Sequence, residues 1–263
     1  GWRWPMRIIV EHVGKQYAGP DGSPVTALED VCLTVEQEEF VVLVGPSGCG
    51  KSTLLNMVGG LLAPTSGKIV VEGLTEDRDP SVGMVFQEVG LFPWRTVENN
   101  IGFGLEESSL SKAEQQERIR RHIDLVGLAG FEKSYPHQLS GGMRQRAGIA
   151  RTLVINPDLL LMDEPFSALD AQTRTLMQEE LLRIWETHRL STLYVTHNIQ
   201  EAVYLADRIV VLSRRPGRIM SILQIDLPRR GRDGTEHISR FNSYCDHIWS
   251  LIRKDAEDAL REA

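Results

Sequence analysis

Three cysteines in 263 residues, Cys32, Cys49 and Cys245, are too few, too far apart and the wrong parity for a disulfide framework. Their spacing also excludes a cysteine metal motif and fits reduced thiols. Basic charge is scarce relative to acidic, with 29 Lys and Arg against 36 Asp and Glu and a net charge of −7, so no nucleic-acid footprint is expected. No apolar run approaches the ~20 residues that span a bilayer. No charged-then-apolar secretory leader opens the chain either. Residues 1–5 begin with glycine and are set aside as an N-terminal extension. What remains, 41% hydrophobic and 25% charged, is ordinary for a globular protein. The length suits one large α/β domain or a core with an inserted subdomain, and the expectation is a soluble intracellular protein.

The most informative stretch is Val41 to Leu55. An apolar β-branched run reads as a buried strand and is followed by Gly45-Pro46-Ser47-Gly48-Cys49-Gly50-Lys51-Ser52-Thr53. This fits G-x-x-x-x-G-K-[ST], the phosphate-binding loop. Gly45, Gly48 and Gly50 let successive N–H groups turn toward phosphate oxygens. The following helix adds its positive N-terminal end. Lys51 supplies a point charge for the β- and γ-phosphates, and the Ser52 hydroxyl is placed to coordinate Mg²⁺.

Arg7 to Val13 and Val31 to Val35 alternate as strands do, with a turn region at Gly19 to Pro24. Tyr17, in the link after the first strand, is either a surface aromatic or a platform for an adenine ring. Lys68 to Val71 reads as a short strand before a turn at Gly73. Ser81 to Gln87 reads as a buried strand ending in a polar residue, which is either a simple amide or a ligand at a strand end. Between about residues 89 and 156 the chain turns helical, notably over Glu106 to Val126. Leu139 to Arg146 then lead into an amphipathic helix, Ala147 to Val154. Ser140 before Gly141 and Gly142 reads equally as an N-cap or as an anion-binding hydroxyl.

Leu159 to Met162 is a buried strand that ends in Asp163 and Glu164. One carboxylate so placed opposite a phosphate loop serves Mg²⁺, and a second polarises the attacking water. Ser167-Ala168-Leu169-Asp170 caps a helix over Ala171 to Thr187. Ser191 to Val195 is a strand ending in Thr196-His197; a lone histidine is usually structural, but this one closes a core strand. Arg208 to Leu212 continues the sheet. Arg214 to Arg218 reads as a solvated basic turn, and Ile238, Phe241, Cys245, Ile248 and Ile252 form one face of a C-terminal amphipathic helix that covers its own domain or a partner.

Taken together and in this order, these motifs resemble the ATPase subunit of ABC transporters from about Arg7 to Leu212. The resemblance implies a P-loop core with a β-rich N-terminal subdomain and an inserted helical signature subdomain. The expected divisions are an extension (1–5), an ATPase domain (6–213, insertion about 89–156) and a C-terminal turn and helix (214–263). It assigns Tyr17 to adenine stacking, Gln87 and Asp163 to Mg²⁺ and Glu164 to catalysis. Ser140, Gly141 and Gly142 fall to the γ-phosphate of ATP on the opposite subunit, Asp170 to the dimer contact and His197 to the switch. Met143 departs from the glutamine common after Leu-Ser-Gly-Gly. The cofactors implied are ATP and Mg²⁺, and the active form implied is a head-to-tail homodimer closed over two ATPs.

Gly90 to Ile101 and Arg215 to Ile219 are similar to the nitrate/sulfonate/taurine importer branch. That branch implies separate transmembrane permease subunits, with Phe86 to Trp94 near the groove that receives them. It also implies an extracytoplasmic solute-binding protein as indirect partner, and a place on the cytoplasmic face of the membrane. A GTPase is excluded because no Asn/Thr-Lys-x-Asp stretch occurs. Neither a fused second ATPase domain nor a long coiled-coil insertion appears, against ribosome- or DNA-directed relatives. The alternative is an exporter ATPase or a soluble ABC protein not linked to transport.

Overall fold

The computed structural model describes residues 6–72, 81–167, 169–229 and 231–262. The N-terminal extension, the turn expected at Gly73 and Ala168 of the Ser167–Asp170 stretch lie outside these residues. The chain begins with β1 (Arg7–Ala18), β2 (Pro24–Val35), β3 (Phe40–Val44), α1 (Lys51–Val58) and β4 (Ser66–Glu72). Then come β5 (Val82–Val85), α2 (Val97–Ile101), α3 (Lys112–Leu125), α4 (Gly141–Leu153), β6 (Leu159–Asp163) and α5 (Ala171–His188). It ends with β7 (Ser191–Val195), α6 (Ile199–Leu205), β8 (Arg208–Leu212), β9 (Ile219–Gln224) and α7 (Ile238–Glu262). Two compact units result: Gly1–Asp79 with Ser191–Ala263, and Pro80–Leu190.

In the first unit, β2, β1 and β4 form an antiparallel sheet in that order. β1 and β2 outrun their alternating cores because polar residues also pair, Lys15 with Leu28 and Tyr17 with Val25. Tyr17 therefore lies in β1, not in the link after it. The hairpin closes where Gly19 N donates to Ser23 O at 2.7 Å and Asp21 accepts from Ser23 N and Oγ.

β3 is buried at all five positions and pairs in parallel with both β7 and β8. Covered on both faces, it needs no polar alternation. β8 turns back into β9 through Arg214 to Arg218, with a cis peptide at Arg215-Pro216. The expected boundary after residue 213 therefore falls inside a β-hairpin. α7 lies against α6 and buries Phe241 and Ile248. Arg232, also buried, donates from Nη1 to the carbonyls of Val203, Tyr204 and Ala206, which a helix C-terminus leaves unsatisfied.

In the second unit β5 runs parallel to β6, and this unit extends well beyond the insertion expected over 89–156. β5 stops at Val85, so Gln87 lies two residues past the strand and not at its end. The charged helix begins at Lys112, six residues after Glu106, where Ser111 and Glu114 close a capping box. α4 begins at Gly141 because Ser140 caps it, and the glycines that disguise a helix in sequence form its first turn.

Candidate functional site: a phosphate loop and its neighbours

Parallel pairing brings three loops to one edge of the first unit's sheet. Leu43 pairs with Val195 and Val44 with Val211, so the phosphate loop, Thr196-His197 and the Arg214–Arg218 turn leave the same ends of adjacent strands. That edge is where open parallel sheets bind ligands. His197 is exposed there, while Thr196 N donates to Leu43 O at 3.2 Å.

The loop itself is a tight cradle. Gly50 precedes α1 at φ +104, and a Cβ there would stand 2.6 Å from Leu28 Cδ2 and 3.0 Å from Ala27 O. Gly48, at φ +76, sits exposed at the tip beside Ser47, between the half-buried Pro46 and the buried Cys49. No side chain caps α1, and its first turn holds no acidic residue. The positive end of this helix is thus left for an anion from outside. Lys51 is buried, and its Nζ donates to Gly45 O at 2.8 Å and Pro46 O at 2.9 Å, folding its charge back across the loop. Ser52 is exposed at the helix start and Thr53 half-buried behind it.

Cys49 is 1% exposed, and burial pushes its thiol above the ordinary range, partly offset by the Lys51 ammonium. Tyr17 is half-exposed, and its hydroxyl lies 3.4 Å from Thr53 Oγ1, so the aromatic ring stands beside the phosphate-loop helix.

The second unit gathers the remaining expected residues. Asp163 ends β6, and Glu164 follows at φ +44, a backbone conformation that costs a non-glycine residue about 1 kcal/mol or more. Ser167 fastens that turn, since its N and Oγ both donate to Glu164 O at 3.2 and 3.0 Å. Gln87 Nε2 donates to the same Ser167 Oγ at 3.2 Å. One hydroxyl thus joins Gln87 to the strained carboxylate turn. Ser140 Oγ accepts from Met143 N at 3.3 Å, and Gly142 faces Thr173 so closely that a Cβ would come within 2.9 Å of Cγ2. Asp170, the last residue of the expected capping stretch, caps α5, accepting from Thr173 N at 3.0 Å and Thr173 Oγ1 at 2.7 Å.

The same unit carries a cavity of about 470 Å³ lined by Phe86, Val89, Phe92, Phe103, Arg151 and Ile155. Arg151 donates to Val89 O and Gly90 O at 2.7 and 2.9 Å, holding the loop that forms its wall. Arg95 is committed within this cluster, paired with Glu106 and set over the rings of Phe92 and Phe103. Trp94, 71% exposed, is more exposed than Phe86 or Phe103.

Two residues had no assigned role in sequence. Ser167 was legible only as part of a capping stretch. Arg215 belongs to the turn expected to be solvated, yet its Nη2 is 4.0 Å from the position a Cβ on Gly48 would take. Gly217 explains the approach: a Cβ there would lie 2.0 Å from Cys49 O, and its own N–H donates to Ala27 O at 2.9 Å.

Among the described residues no helix is long and apolar enough to cross a membrane. Residues 28–167 match the ABC transporter family. The chain is 46% identical over 261 residues to an uncharacterized ABC transporter ATP-binding protein of Methanocaldococcus jannaschii, covering 98% of this chain and 96% of that one. It is 45% identical to a nitrate import ATP-binding protein of Synechocystis (94% and 96% covered). It is 44% identical to an aliphatic sulfonates import ATP-binding protein of Bacillus cereus (85% and 88% covered). A dimeric ATP-binding cassette solved in a post-hydrolysis state with ADP and Pi superposes with a TM-score of 0.72 at 31% identity, over 83% of this chain and 98% of that one. The uncapped phosphate-loop helix, the motif order and these near full-length likenesses have one meaning: the chain belongs to the ATP-binding subunits of ABC transporters and is an ABC ATPase.

Proposed function

We propose that this subunit hydrolyses ATP, with Mg²⁺, to drive a bacterial importer of a small anionic or polar solute such as nitrate, a sulfonate or taurine. The observation that carries the reading is the 45% identity, across nearly the whole of both chains, with a nitrate import subunit. The loop suits a polyphosphate, because Gly45 and Gly50 leave no room for side chains and its helix start is uncapped. Ser52, Asp163 and Gln87 together offer hydroxyl, carboxylate and amide oxygens, the hard donors that Mg²⁺ prefers. When bound, ATP and Mg²⁺ supply the phosphoryl group and the neutralising charge.

In this reading Lys51 exchanges its two loop carbonyls for phosphate oxygens, and Tyr17 stacks the base. Glu164 accepts a proton from the attacking water, which Gln87 and His197 orient. Ser140, Gly141 and Gly142 of a second copy close the site head-to-tail and exclude bulk water, with Asp170 at that contact. The aromatic cavity around Phe92 and Phe103 receives the permease, which holds the ATPase peripherally on the cytoplasmic face of the membrane. A solute-binding protein outside delivers the solute.

Glu164→Gln should abolish turnover while retaining ATP binding. Mild detergent purification of this variant from its host should bring down a polytopic membrane protein, identified by mass spectrometry. Ribosomal or DNA-associated partners without a membrane protein would overturn the importer reading and leave the ATPase chemistry standing.

A further inference from the structure

Away from the phosphate loop, β1 and β2 are distorted where they need not be. Val10 pairs with Leu33 and Val13 with Val31, so Glu11 and His12 together oppose the single residue Cys32. The next register shift lies between Val13 and Lys15, where Glu29 and Asp30 together oppose Gly14. His12 and Asp30 both take left-handed backbone conformations, at φ +49 and +50. Bulges of this kind re-aim side chains. Here they turn His12 to the side of the sheet that Asp30 and Cys32 share, so that Nδ1, a carboxylate oxygen and Sγ all lie within 4.8 Å of one another. Packing from the neighbouring strand holds the distortion, since Gly67 lies where a Cβ would be 2.3 Å from His12 O.

We propose that His12, Asp30 and Cys32 form a surface site for Zn²⁺, with water as the fourth ligand. Imidazole and thiolate together select a borderline-soft cation over Mg²⁺ or Ca²⁺. Tetrahedral zinc with ordinary bond lengths separates S from N by about 3.5 Å and N from O by about 3.3 Å. The Cys32 Sγ to His12 Nδ1 separation is 3.5 Å, and His12 Nδ1 to Asp30 Oδ1 is 2.6 Å, so one pair already fits and the other opens by less than an ångström. The shorter contact is a hydrogen bond through a proton that the cation replaces. On binding, the Cys32 thiol proton leaves to solvent as the S–Zn bond forms, and the His12 proton moves to Nε2, freeing the Nδ1 lone pair. The side chains of His12 and Asp30 are 77% and 69% exposed, which leaves an open path for entry. The cysteine spacing gave no hint of this site, because its ligands come from two strands and only one is a cysteine.

The full-length protein, free of nucleotide, is titrated with Zn²⁺ against a chromogenic chelator, and Co²⁺ is used as the spectroscopic probe. One Zn²⁺ per chain and a thiolate-to-cobalt charge-transfer band are expected. In mass-spectrometric labelling, Zn²⁺ should protect Cys32 from iodoacetamide and leave Cys245 unprotected. Cys32→Ser and His12→Asn, the latter chosen because asparagine tolerates left-handed φ, should each lower affinity tenfold or more while ATP binding is unchanged. No stoichiometric binding, no charge-transfer band in the unmodified protein, or labelling of Cys32 that ignores Zn²⁺ would each overturn the site.

Discussion

Compare the start of α1 with the starts of α2 to α6. Thr96, Ser111, Ser140, Asp170 and Asn198 each put a side-chain oxygen on a backbone N–H of the helix they precede. α1 starts from Gly50, with no side-chain cap. Five helix starts are closed by the chain's own groups, and one is left for an anion the chain does not contain. The signature helix α4 is capped as α2 and α3 are, Ser140 accepting at 3.3 Å where Thr96 and Ser111 accept at 3.4 and 3.3 Å. Each of these hydroxyls still has a proton to donate.

The comparison breaks most sharply at Gly50. Gly50→Ala forces a Cβ against Leu28 and Ala27 at positive φ, and should cost about 2–4 kcal/mol of stability. ATP affinity should fall with it, measured by fluorescent-nucleotide titration at a temperature where the variant is folded. Next comes thiol access: Cys49, buried and with its thiol pushed up, should react with iodoacetamide at least roughly tenfold more slowly than exposed Cys32. Once modified it should block ATP binding, and ATP should slow the modification further; labelled protein with unchanged nucleotide affinity would argue against the cradle.

A smaller effect is expected at Ser140. Ser140→Ala removes an ordinary cap and should cost about 1 kcal/mol, a few degrees in Tm for a domain of this size. Turnover should fall by more than that instability explains if the hydroxyl also meets phosphate; equal losses would make it a cap alone. Smallest is a pH effect. The Thr173 backbone N–H and hydroxyl hold the Asp170 carboxyl below its ordinary value of 3.8. Its cap should therefore be fully present above that value and lost as pH falls through the lower folded one. Melting curves of the parent and Asp170→Asn should converge in that acid range.

Much of the site was legible because its chemistry is local. The loop Gly45 to Thr53, the carboxylates at the end of β6 and the strands Ser191–Val195 and Arg208–Leu212 stand where the sequence puts them. What stayed hidden depends on pairing between distant segments. Tyr17 reads as a link residue until Val25 pairs with it, and Gln87 reads as a strand end until β5 stops at Val85. α4 looks as if it starts at Ala147 because Gly141 and Gly142 have poor helix propensity, which the Ser140 cap overrides. β9 gave no signal because its edge position leaves Ser221 and Gln224 among apolar residues without clean alternation. The contact of Ser167 with Gln87 spans 80 residues, a separation that no local pattern encodes.

The turn behind the phosphate loop bears on how portable this ATPase is as a module. Every nucleotide motif precedes Leu212, and a gene fragment ending there would look complete on paper. It would lack Gly217, which lies against Cys49 and is tied to β2 through the Gly217 N–Ala27 O and Glu29 N–Gly217 O hydrogen bonds. It would also lack Asp255, whose carboxylate accepts from Arg214 N at 2.8 Å. A fusion or minimal cassette cut after β8 would keep the loop's letters and lose the wall behind it; a unit that also keeps the Asp255 contact runs into α7.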